Sequence, residues 1–172
     1  MARPKRHADP DKIVSPARTF FATTKTSQGR LLLQSQRNAT LMIDVLRSYV
    51  AAGKFRLHDF VVMPDHLHLL ITVGGDMTIE KAMQFLKGGF SYRAKKELGM
   101  KFEIWQKGFK EHRIKDADDY RDHVEYIWNN PVRARLVLRP EDFPYSSARL
   151  RDAVDPPPAW LGLSSFKAAS FD

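Results

Sequence analysis

Two stretches of the chain carry residues whose types and spacing suit chemistry on a metal or a phosphate. The first is Phe60-Val-Val-Met-Pro-Asp-His66-Leu67-His68-Leu-Leu-Ile-Thr72, in which two histidines stand two positions apart within an apolar run. Side chains alternate faces along a strand, so His66 and His68 project to one side while Leu67, Leu69 and Ile71 project to the other. At the strand rise the two rings lie roughly 7 Å apart, close enough to converge on one ion. Paired histidines also line half-buried sheet faces, and the triplet alone does not decide between these readings. The second stretch is Tyr120-Arg-Asp-His-Val-Glu-Tyr126-Ile-Trp-Asn-Asn130-Pro131. Tyr126 and Asn130 are four apart, hence one turn apart on one face of a helix. A phenol and an amide carbonyl so placed can face the same ion, one as nucleophile and the other as oxygen ligand. A lone helical tyrosine is otherwise an amphipathic packing residue.

Those side chains need a sheet and a helix to position them. Residues 18–26 are rich in β-branched and aromatic residues and predict a first strand, followed by a turn at Ser27–Arg30. Met42, Val45, Leu46, Tyr49 and Val50 recur at helical spacing over about 39–52, and Gly53 supplies a stop. Strands over 55–63 and 66–73 flank the Met-Pro-Asp turn. Thr78 caps a helix reaching about Leu98 and closed by Gly99. Residues 104–114 lead into another strand, and Asp116 or Asp118 begins a helix to about Asn129, with Pro131 restarting or bending the chain beyond it. The order β-α-β-β-α-β with extra C-terminal helices predicts an α+β fold: one antiparallel, ferredoxin- or RRM-like sheet with helices packed on it. The chain divides into a basic arm over 1–16, one domain over 17–152 and a tail over 153–172.

Among the 172 residues, 28 Lys+Arg against 20 Asp+Glu give a net charge of +8 and a pI near 9.8, which favours an acidic partner such as nucleic acid. There is no cysteine, so disulfides, thiolate metal sites and cysteine nucleophiles are excluded. No apolar run approaches the ~20 residues of a transmembrane helix, and the charged start lacks a signal peptide's apolar region, so a cytoplasmic protein without membrane contact is expected. Nucleic-acid contacts are expected from Lys87, Arg93 and Lys96 on the 78–98 helix, from Lys107, Lys110 and Arg113, and from Arg133 and Arg135. Trp105 and Phe109 are expected to stack unpaired bases.

Taken together, MPDHLHLL, then WQKGFKEHRI, then HVEYIWNNPVRARLV resemble the single-tyrosine HUH transposases, most closely those associated with short palindromic repeats, the REP-associated tyrosine transposases. The resemblance covers about residues 17–150. It implies a metal-binding pair at His66 and His68, a nucleophile at Tyr126 and a third, polar ligand at Asn130. Asparagine before Pro131, where the insertion-sequence branch tends to have glutamine, leans toward the repeat-associated branch. The implied activity is cleavage and rejoining of single-stranded, hairpin-forming DNA through a phosphotyrosine intermediate, with Mg²⁺ or Mn²⁺ as cofactor, in a monomer or homodimer. Zn²⁺ is also compatible with the ligands. His112 is a candidate for orienting substrate or a ligand, or a plain polar strand residue. The competing readings are a catalytically inactive nucleic-acid-binding protein of the same fold and a small metallohydrolase using His66 and His68 with a bound water.

Overall fold

The computed structural model describes residues 17–163; the basic arm expected over 1–16 and the end of the tail lie outside them. The elements run β1 (Arg18–Lys25), α1 (Gln36–Ala51), β2 (Arg56–Met63), β3 (His66–Val73), α2 (Ile79–Leu98), β4 (Lys110–Arg113) and α3 (Ala117–Arg133). The four strands form one antiparallel sheet in the order β2-β3-β1-β4, the α+β arrangement the element order predicts.

Strand alternation splits the sheet into two cores. Phe20, Ala22, Leu67, Leu69 and Ile71 point to the face covered by α1 and α2, whose Met42, Leu46, Met83, Leu86 and Phe90 complete that core. The two helices meet at Gly89, where a Cβ would collide with the Tyr49 ring, which accounts for a glycine inside a helix. Val61, Met63 and Leu70 point the other way and pack with Tyr120, Val124, Ile127 and Trp128 of α3. His66 and His68, in phase with Leu70, therefore belong to the α3 face.

The helix ends follow from capping. Ser35 accepts the Asn38 amide and starts α1 ahead of its apolar repeat; Thr78 caps α2 through Lys81 N–H, and Gly99 ends it at φ 66°. Asp116 caps α3 by accepting the Asp119 amide. Two expectations are corrected here. Pro131 neither restarts nor ends α3, which runs through it to Arg133; so near the C-terminus the missing N–H removes a single bond, and the Ala134 amide still reaches Asn130 O at 3.0 Å. No extra C-terminal α-helix is present among the described residues after α3, only short 3₁₀ turns at Pro140–Asp142, Arg151–Ala153 and Ala159–Leu161.

That segment instead covers the open edge of β2. Val62 N–H donates to Tyr145 O and Ser147 N–H to Phe60 O, both at 2.9 Å, and Asp155 N–H donates to Leu57 O at 2.7 Å. Backbone groups that would be an exposed edge are thereby paired. A buried carboxylate fixes the arrangement: Asp59 Oδ1 accepts from Trp128 Nε1 at 2.8 Å, Ser147 Oγ at 2.7 Å and Arg151 Nη1 at 2.8 Å, tying β2 to α3 and to the C-terminal segment.

Candidate functional site

The Met63-Pro64-Asp65 turn delivers His66 and His68 at the start of β3. Register places Thr23 of β1 opposite His68, and Thr23 Oγ1 lies 2.8 Å from His68 Nδ1. His66 Nδ1 lies 2.6 Å from Asp65 Oδ1. The rings stand edge to face with centroids 4.7 Å apart. With Nδ1 of each ring engaged, Nε2 is the nitrogen available to an ion, and a polar partner on the far nitrogen is the usual support of a metal-bound histidine. His68 is 5% exposed, and burial, helped by the charges of His66 and Lys25, lowers its pKa to about 3, so it is a neutral imidazole near pH 7. A neutral ring with a free nitrogen is the ligating form, so this donor pair fits a divalent cation.

Tyr126 reaches the same place from α3. Its ring lies 5.3 Å from that of His68 and 5.8 Å from that of Phe21, edge-on to both, and the Arg133 guanidinium stands 5.4 Å from its centroid. At 38% exposed, the phenol is open to an incoming group. Tyr120 and Tyr92, rival candidates for the nucleophile, are placed elsewhere. Tyr120 is 1% exposed against His58, where burial and the Asp59 charge push its phenol up. Tyr92 is exposed on α2, across the sheet. Asn130 lies one turn beyond Tyr126, half-buried on the same face of α3.

Of the residues expected to hold nucleic acid, Arg133 adjoins Tyr126, while Arg135, Lys107 and Lys110 are exposed. Lys110, opposite Thr23 in register, is on the α3 face. Arg113 shares its face with Phe20, the α2 side, and Lys87, Arg93 and Lys96 lie on α2 itself. Lys87 Nζ donates to Gln106 O at 2.9 Å and Gly108 O at 2.7 Å, burial lowers its pKa, and it works as a tie to the loop before β4. Arg93 is paired with Glu97, and Lys96 lies over Tyr92. Trp105 is a correction. It is 7% exposed, packs edge-on against Phe90 at 5.5 Å and donates Nε1–H to Lys87 O at 3.1 Å, so its ring belongs to the core and presents no face to a base. Phe109 likewise packs against that core.

Three polar residues meet between β4 and α3, of which the motifs single out only His112. His112 of β4 lies opposite Phe21, and its Nε2 is 2.8 Å from Asp119 Oδ2; His123 Nδ1 is 3.2 Å from Asp119 Oδ1, and the two imidazoles stack at 4.8 Å. Burial acts to raise the Asp119 carboxyl, but hydrogen bonds from His112 and from the Lys115 amide outweigh it and hold the group below its ordinary value. Asp119 and His123 are an i, i+4 pair, which is the signal the sequence offered.

A ferredoxin-like antiparallel sheet whose central strand turns a histidine pair toward a tyrosine-bearing helix defines the HUH class of transposase fold. Residues 23–130 match the family of IS200-like transposases, and the chain belongs to that family. It is 36% identical over 94 residues to a REP-associated tyrosine transposase of Escherichia coli, an alignment spanning 54% of each protein. It is 29% identical over 133 residues to a Haemophilus influenzae protein named as a candidate of the same type, covering 67% of this chain and 76% of that one. Among solved structures, a REP-associated tyrosine transposase bound to a REP hairpin superposes with a TM-score of 0.61 at 30% identity, over 88% of this chain and 90% of the other.

Proposed function

We propose that this chain is a metal-dependent transposase of single-stranded DNA that cleaves and rejoins strands through a phosphotyrosine at Tyr126, with residues 17–152 as its catalytic domain. The observation that carries the reading is the contact between Tyr126 and His68, which sets a solvent-open phenol beside a neutral, metal-competent imidazole. In the forward step the Tyr126 oxygen attacks phosphorus, the phenolic proton leaves, and the displaced 3′-oxygen departs as a hydroxyl. The number of phosphodiester bonds is kept, so attack by another 3′-hydroxyl reverses the step and rejoins DNA. A divalent cation, Mg²⁺ or Mn²⁺, held by His66 and His68 with Asn130 as oxygen ligand, would polarise the scissile phosphate and offset its charge. Asp65 and Thr23 hold the two rings in orientation, and Arg133 adds positive charge beside the nucleophile.

The DNA path proposed is the α3 face, over Lys110, Arg133 and Arg135, with Lys107 at its margin. Lys87, Arg93, Lys96 and Arg113 contribute only through the general positive field. Similarity to a structure holding a REP hairpin supports a hairpin-forming strand as substrate. The meeting of His68 and Tyr126 within one chain supports an active site completed in cis, in a monomer or a homodimer. Among the described residues no helix is long and apolar enough to cross a membrane.

Incubation with labelled single-stranded hairpins and Mn²⁺ tests the reading. The expected products are a free 3′-hydroxyl strand and a protein–DNA adduct, both prevented by a chelator. Binding without cleavage would favour the inactive binder, and multiple-turnover cleavage without adduct would favour a metallohydrolase.

A further inference from the structure

We infer that His112, Asp119 and His123 form a second divalent transition-metal site, separate from the His66–His68 pair. One ligand atom of each lies within 4.8 Å of the others, drawn from two elements: His112 from β4, Asp119 and His123 from successive turns of α3. His112 Nε2 is 3.0 and 2.8 Å from the two Asp119 oxygens, and His123 Nδ1 is 3.2 Å from the nearer one. Tetrahedral ligands at about 2.0–2.1 Å from an ion stand roughly 3.3 Å from one another. Each histidine nitrogen already stands at about that spacing from Asp119, and the two imidazoles, stacked at 4.8 Å, must rotate toward one another to share an ion.

The Lys115 amide donates to Asp119 Oδ2 at 2.9 Å, and the cap that places the carboxylate is Asp116 accepting the Asp119 amide. His123 Nδ1 now lies 2.7 Å from Asp119 O, a bond that the ion replaces. Each ring then keeps its single proton on the far nitrogen, Nδ1 of His112 and Nε2 of His123. Two imidazoles and one carboxylate with open positions suit Zn²⁺ or Co²⁺ better than Mg²⁺, which prefers oxygen ligands.

The Phe21 ring separates the two sites, 5.2 Å from His68 and 4.7 Å from His123. His123 stands three residues before Tyr126 on α3, so the second ion places charge one turn from the phenol, suited to a phosphate flanking the one cleaved. That use rests on the transposase reading; the binding of the ion does not.

The test is a Co²⁺ and Zn²⁺ titration of the full chain carrying His66→Ala and His68→Ala, without DNA, followed by calorimetry and by Co²⁺ visible absorption. One equivalent should still bind, with His112 and His123 ring resonances shifted in NMR. Adding His112→Ala and His123→Ala, neither of them a helix cap, should remove that equivalent while circular dichroism stays unchanged. A double variant that binds no metal at millimolar concentration overturns the site, as does binding that survives all four substitutions. Loss of the phosphotyrosine adduct in a Tyr126 variant would bear only on the function proposed above.

Discussion

Thr23 Oγ1 lies 2.8 Å from Nδ1 of His68, directly across the β1–β3 ladder. With Nε2 given to a cation, Nδ1–H donates to the threonine hydroxyl, which fixes the tautomer and the ring plane. Thr23→Val keeps the strand shape and deletes the acceptor. Mn²⁺ affinity should fall about 10- to 100-fold by calorimetry, the range found when such supporting partners are removed. Unchanged affinity would mean that packing against Phe21 alone orients His68.

The fold should lose stability in mild acid through His58. This ring is 1% exposed, with Nδ1 2.7 Å from Pro156 O and Nε2 2.7 Å from Thr72 Oγ1, and burial lowers its pKa to about 4. Between pH 6.5 and about 4 the unfolded chain takes up a proton that the folded chain refuses, so stability declines as pH falls through that window, by up to about 3 kcal/mol. His68 adds a decline of the same sign. Urea unfolding at pH 7.5 and pH 5 should show the loss in the parent and a smaller loss in His58→Gln; equal losses would put the effect elsewhere.

Arg151 holds the C-terminal segment to the body through Asp59. Removing it leaves a carboxylate that is 2% exposed without its cation, although Ser147 and Trp128 still donate to it. Arg151→Ala should destabilise by on the order of 3 kcal/mol, and Asp59→Asn in that background should recover part of it. Denaturant midpoints read both effects, and additive losses would contradict the pairing.

These two interactions mark where the sequence stops being legible. Alternation in FVVMPDHLHLL and the caps Thr78 and Gly99 were readable because strand pleat and helix ends are local. So was the common face of Tyr126 and Asn130. The burial of Trp105 was not, because a tryptophan among lysines reads as an exposed stacking residue until Phe90 and the Lys87 carbonyl are brought to it. The same holds for the partition of cations between two layers, which depends on which face of the sheet each helix covers. The His112–Asp119–His123 group needed β4 and α3 to be adjacent, a tertiary fact. Pro131 misled because its penalty is large in a helix interior and small two residues from the end.

The layer assignment makes a DNA-binding prediction. Neutralising Arg133, Arg135 and Lys110 should weaken single-strand binding and flatten the log–log salt slope by about 0.7 for each phosphate no longer neutralised. Neutralising Lys87, Arg93 and Lys96 should change the slope less. Fluorescence anisotropy across a salt series compares the two, and a larger effect from the α2 set would place the strand on the opposite face.

Tyr126 is expected to carry the covalent bond to DNA. Tyr126→Phe removes one oxygen and keeps the ring against His68 and Phe21, so folding and metal binding should persist. Tyr120→Phe and Tyr92→Phe should still form adduct. Tandem mass spectrometry of the protein trapped on a hairpin substrate tests this most directly. A nucleotide mass on the peptide containing Tyr126, localised to that residue and absent from Tyr126→Phe, is the predicted result; a nucleotide on any other side chain would contradict it.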